Sequence, residues 1–136
     1  MAQEIKEIVL DWEGDLRFRG GPPGGHGALV DGDNAAAMGP MSMLLTSLAG
    51  CTGADMVHIL GRMRVPLASC RIVAHGTRRE QEPRRYVAIH LVFEVAGDGI
   101  DEEKARRAAA LSLEKYCSVA HSLAPDIAIS HEVVVK

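Results

Sequence analysis

The apolar pattern is densest in Gly39–Met63, GPMSMLLTSLAGCTGADMVHILGRM, where no charged residue occurs from Met41 to Ala54. Apolar side chains there cover nearly every angle of a helix, and a helix that is apolar all round belongs in a core. Pro40 suits a first helical position, where a missing N–H loses no partner, and Pro66 blocks continuation. The pattern predicts a helix over Pro40–Met63. Asp55, His58 and Arg62 argue against its crossing a membrane. An all-apolar helix cannot lie on one small sheet with its back to water. A second subunit is the simplest cover, so an intertwined homodimer is expected.

Elsewhere the pattern alternates. Glu4–Trp12 and Asp15–Arg19 predict a hairpin turning at Glu13-Gly14. Gly20–Gly27 (GGPPGGHG) is a loop, and Ala28–Asp31 a short strand ended by Asp31-Gly32-Asp33. Ser69–Arg78 predicts a strand. The clearest strand follows, with Val87, Ile89, Leu91, Phe93 and Val95 on one side and Ala88, His90, Val92 and Glu94 on the other. Asp101–Leu123 predicts a second long helix, with acids at its positive end and Pro125 as its stop. Ile127, Ile129, His131, Val133 and Val135 then share one side of a last strand. The order β-β-β-α-β-β-α-β predicts an α+β fold with largely antiparallel sheet, as a single domain over 1–136.

Composition narrows the function classes. The 136 residues are 47 % apolar and 24 % charged with a net charge of −3, ordinary for a soluble domain. No basic run exceeds a pair, so nucleic acid is not an expected partner. The N-terminus, MAQEIKEIVLDWEGD, carries acids where a signal peptide needs cations, which points to the cytoplasm. Three cysteines in a reducing compartment read as free thiols, a metal site or redox chemistry, not as a disulfide framework. No pair is spaced C-x-x-C and no His stands at a zinc-finger offset, so no metal is expected.

Cys51 lies between Gly50 and Gly53, which let another backbone or a substrate approach closely. On a helix it shares a face with Leu44, Leu48, Asp55 and His58. Cys117, in LSLEKYCSVAHSL, would share its face with Leu113, Glu114 and His121. Cys70, opening a strand beside Arg71, reads as structural.

The block Leu44-Leu-x-x-Leu-Ala-Gly-Cys51-Thr, entered through Gly39-Pro40, resembles the first cysteine block of the OsmC/Ohr superfamily. Leu111-Ser-Leu-Glu-Lys-Tyr-Cys117-Ser-Val resembles its second. The resemblance implies an OsmC-like fold: antiparallel sheets, two long central helices, an interlocked homodimer with sites at the subunit interface. It also implies a thiol-dependent peroxidase acting on organic hydroperoxides. A Cys51 thiolate would attack the peroxide and become a sulfenic acid. Cys117 would resolve it to a disulfide, and an external dithiol would reset the pair. An apolar pocket of Met41, Leu44, Leu45 and Leu48 would favour alkyl peroxides, and no cofactor is needed.

One departure stands out. Family peroxidases hold the thiolate with an Arg fixed by a Glu close after the opening Pro, whereas Met41, Ser42 and Met43 follow Pro40 here. Arg17 and Arg19 are the candidate cations and Glu114 a substitute anchor. Three other readings stay open on the same scaffold. They are a non-catalytic binder of an apolar ligand, a thiol redox sensor, and a metal binder using Cys51, Cys117 and His58 or His121.

Overall fold

The structure, a computed structural model, describes residues 2–136, and the chain divides into two compact units, one ending at Leu44 and one running from Leu45 to Lys136. In the first unit, strands β1 (Val9–Gly14), β2 (Arg17–Gly21) and β3 (Ala28–Asp31) form an antiparallel sheet in that order. The hairpin turns at Asp15-Leu16, later than expected, with Gly14 and Asp15 at positive φ and a bulge after Trp12. The strand also begins at Val9, not Glu4. Its partner β2 ends at Gly21, opposite Val9, and the prolines that follow cannot extend the ladder.

Asp31 closes this sheet and organises the loop beyond it. Its buried carboxylate accepts the N–H groups of Asp33 (2.9 Å), Ala35 (3.3 Å) and Ala36 (2.8 Å). Those bonds, that from Ala36 above all, hold its pKa below the ordinary carboxylate value.

Helix α1 (Pro40–Arg62) begins at the proline as expected and carries the chain into the second unit. By length and composition it is apolar enough to cross a membrane, and much of it is uncovered in one chain. Leu48, Thr52, Met56 and Leu60, one turn apart, form its buried stripe. Gly53 lets α1 approach strand β4 (Ser69–Arg78), since a Cβ there would stand 2.7 Å from the Ile72 Cδ1. The helix closes with Arg64 in the left-handed region (φ 65°) and the Val65 N–H on the Leu60 carbonyl.

Strand β5 (Tyr86–Ala96) pairs antiparallel with β4 along its length. Ile89, Leu91, Phe93 and Val95 are buried as the alternation predicts. Val87 is not; Tyr86 is buried in its place, its ring filling the space left by Gly76 beside a bulge in β4. A Cβ at Gly76 would stand 2.4 Å from the ring's Cε1. Gly76→Ala should therefore destabilise the protein by roughly 1–3 kcal/mol, read from the midpoint of urea unfolding.

Helix α2 (Glu102–Leu111) starts where Asp101 caps it, the Lys104 N–H donating to Asp101 Oδ1. The second long helix is not continuous. Ser112–Tyr116 is a π-helical turn, Cys117 is extended (φ −73°, ψ 102°), and a short helix α3 (Ser118–Ser122) restarts after it. The Cys117 N–H reaches back to the Ser112 carbonyl at 2.7 Å. That bond spans five residues instead of four, so the face expected for Cys117 does not form.

Strand β6 (Ala128–Val135) then pairs with β5 in parallel, because α2 carries the chain back across the sheet before it. The other three pairings among the described residues are antiparallel. In β6, Ile129, His131, Val133 and Val135 turn inward together, as the alternation predicts.

Candidate functional site

Two elements of the second unit bring the candidate chemistry together. Cys51 and Asp55 sit one turn apart on α1, and Cys117 stands at the break between the π-helical turn and α3. The two sulfurs and an Asp55 carboxylate oxygen all lie within 4.8 Å of one another. Cys51 is half-buried and Cys117 wholly buried, and both are free thiols.

The π-helical turn is what aims the second element. An extra residue in one turn rotates the chain, so that the buried Ser112 hydroxyl donates to Asp55 Oδ2 at 2.8 Å while Cys117, five residues on, meets Cys51. On the other side of Cys117, the Ala120 N–H donates to its sulfur at 3.3 Å. Thr52, beside Cys51, returns its hydroxyl to the Leu48 and Ala49 carbonyls and leaves the pair undisturbed.

Burial pushes the Cys117 thiol up to about 11, and its hydrogen bond with Cys51 and the charge of a Cys51 thiolate push the same way, against the Ala120 N–H. At neutral pH Cys117 therefore keeps its proton. The fold favours that neutral thiol, so its contribution to stability is complete below the ordinary thiol value of 9.0 and is lost as pH climbs towards 11. The stability advantage of the protein over Cys117→Ala should shrink over that window, as measured by urea unfolding at stepped pH.

The other candidates have partners of their own. Arg17 pairs with Asp15 (3.3 Å) and Arg19 with Glu13 (2.8 Å) within the N-terminal sheet. Glu114 lines a pocket of about 300 Å³ together with Leu113, His121, Ile129 and His131. Among the described residues the carboxylate beside the sulfurs is Asp55, not Glu114, and no histidine joins them. Of the expected apolar wall, Leu48 is buried, Met41 and Leu45 are half-buried and Leu44 is more exposed. Cys70, expected to be structural, is exposed at the start of β4.

Asp55 was legible as a residue sharing the Cys51 face; Ser112 was not. Nothing in LSLEKYC announces a π-helical turn, and that turn is what lets Cys117 and Ser112, five residues apart, both meet α1.

A family model described as OsmC-like protein matches residues 31–132. The chain belongs to the OsmC-like family. It is 38 % identical to Protein YhfA of Escherichia coli K12 over 127 residues, covering 93 % of this chain and 95 % of that one. A solved structure of a hypothetical protein from Aquifex aeolicus is 31 % identical, with a TM-score of 0.84 over 98 % of this chain and 99 % of that one. The organic hydroperoxide resistance protein OhrB of Bacillus subtilis shares the fold, with a TM-score of 0.64 at 14 % identity over 99 % of this chain and all of that one. In this OsmC-like protein both cysteine blocks fall inside the matched region, and β1 and β2 precede it.

Proposed function

We propose that this protein is a thiol-dependent peroxidase that reduces organic hydroperoxides with Cys51 and Cys117. The observation that carries the reading is the meeting of two sulfurs, far apart in sequence, within 4.8 Å of each other. Cys51, the more accessible, attacks the distal peroxide oxygen as a thiolate. The O–O bond breaks, the alkoxide leaves and takes up a proton, and Cys51 becomes a sulfenic acid. The Cys117 sulfur then displaces the sulfenic hydroxide, which leaves as water with the proton that Cys117 has kept. Two electrons have passed from the thiols to the peroxide. An external dithiol returns them by exchange through a mixed disulfide.

Met41, Leu44, Leu45 and Leu48 precede Cys51 on α1, and in this reading they form the wall that prefers an alkyl peroxide to hydrogen peroxide. The resemblance implies a cation for the Cys51 thiolate, and Arg17 and Arg19 are the candidates to be tested for it.

The working form is an intertwined homodimer. In one chain α1 leaves Val57 exposed, and the N-terminal sheet leaves Val9, Leu10, Trp12 and Phe18 exposed, apolar surface that a second copy would cover. Dilution in sedimentation runs should then yield no folded monomer. A cytoplasmic setting would provide the dithiol.

The test is stopped-flow oxidation of the reduced protein by cumene hydroperoxide, with free thiols counted before and after. Fast loss of two thiols per chain, with Cys70 kept, is the expected result. Slow loss that does not distinguish the three cysteines would overturn the reading. Running Arg17→Ala and Arg19→Ala alongside identifies the cation by the rate that falls. The pocket lined by Leu113 and Ile129 favours one other reading, a non-catalytic binder of an apolar ligand. Ligand binding that survives Cys51→Ser, with no selective oxidation, would put that reading first.

A further inference from the structure

The same three side chains answer to a second chemistry. We propose that reduced Cys51 and Cys117, with Asp55, bind one thiophilic divalent cation per chain, zinc fitting best, and that the bound cation and the Cys51–Cys117 disulfide exclude each other. The binding does not depend on the peroxidase reading; the consequence for peroxide turnover does.

Distances come first. In a tetrahedral site with zinc–sulfur bonds of about 2.3 Å and zinc–oxygen bonds of about 2.0–2.2 Å, neighbouring donor atoms stand about 3.5–3.8 Å apart. Here the two sulfurs and the carboxylate oxygen are already within 4.8 Å of one another before any cation draws them in. The difference that remains, about 1 Å, is of the size that side-chain rotation covers.

The scaffold holds the donors as such a site requires. Cys51 and Asp55 project from adjacent turns of one helix. The Asp55 carboxylate is oriented by the buried Ser112 hydroxyl, which leaves its other oxygen for a cation. The Ala120 N–H already points at the Cys117 sulfur, and that contact strengthens as the sulfur gains charge.

Donor type decides the metal. Two sulfurs and one carboxylate reject magnesium and calcium, which demand oxygen, and suit zinc. Three protein donors leave the fourth position to water. Cys51, half-buried where Cys117 is wholly buried, gives the solvent side of the site.

The reaction balances without electron transfer. Zinc displaces one proton from each thiol, two protons are released, and neither metal nor sulfur changes oxidation state. A disulfide, with its sulfurs about 2.05 Å apart, has no thiolate to offer. Zinc therefore binds only the reduced pair, and while bound it withholds the Cys51 sulfur from an oxidant.

Cobalt(II) and zinc titrations of the reduced, full-length Cys70→Ser protein test this, since only the two site thiols remain. One equivalent of cobalt should develop a thiolate-to-cobalt charge-transfer band and tetrahedral d–d bands, and one equivalent of zinc should bleach both. Zinc affinity from a chromophoric competitor should fall by about 10–100-fold in Ser112→Ala, whose hydroxyl only orients Asp55, and further in Asp55→Asn. The diamide-oxidised protein should bind neither metal. A cobalt spectrum without charge transfer, a stoichiometry well below one, or full affinity in Asp55→Asn would overturn the proposal. Circular dichroism of each variant confirms folding, and the titration of the parent protein is decisive without any variant. Loss of peroxide reactivity alone leaves these readouts unchanged, so the two readings fail separately.

Discussion

Cys51→Ala is expected to slow oxidation of the protein by cumene hydroperoxide by on the order of 10³-fold or more, about 4 kcal/mol of barrier. The size follows from the role. Cys51 is the accessible sulfur of the pair, whereas Cys117 is buried and held as a thiol by a pKa raised to about 11. Without Cys51 the peroxide meets only a buried neutral thiol and the exposed Cys70. Cys117→Ser makes the complementary case. The first step should survive, no disulfide should form, and a sulfenic acid at Cys51 should be trapped by dimedone and seen by mass spectrometry. Wild-type oxidation rates in Cys51→Ala would assign the attack to another thiol. Rapid disulfide formation in Cys117→Ser would assign the resolving role to Cys70.

Phe93→Ala should cost about 3–5 kcal/mol of stability, a large part of the roughly 5–15 kcal/mol a domain of this kind possesses. Phe93 is the largest of the fully buried side chains, on the central strand, which pairs with both β4 and β6. Its ring meets His131 edge-on, the centroids 6.4 Å apart. Because both neighbouring strands are held by their ladders, the space left by the ring cannot collapse, and the cost should fall towards the upper end of that range. Urea unfolding measures it directly. Phe93→Leu, which keeps most of the volume, should recover more than half of the loss, and a loss under about 1 kcal/mol for Phe93→Ala would contradict a rigid core here.

The sequence carried a large share of this structure for identifiable reasons. Strict alternation in β5 and β6 can be read without a fold, because a pleated strand with one buried face permits only period two. Pro40 and the charge-free run after it marked α1 to within a residue, since a missing N–H is harmless only in a first turn. Asp55 also followed from spacing, as residues four apart on a helix face the same way.

Tertiary structure decided the rest. β1 begins no earlier than Val9 because its partner runs into prolines, a limit that belongs to the pair and not to either strand. β6 pairs in parallel because a helix carries the chain back across the sheet, whereas the alternation of β6 is the same in either direction. The site depends on tertiary structure most. An unbroken helix would have set Cys117 beside Glu114 and His121. The π-helical turn sets it beside Cys51, while Ser112, at the end of α2, holds Asp55. Local propensity hardly distinguishes that turn from an α-helix. The partners that Ser112 and Cys117 meet, Asp55 and Cys51, lie on another element, so the residues of the turn do not reveal them.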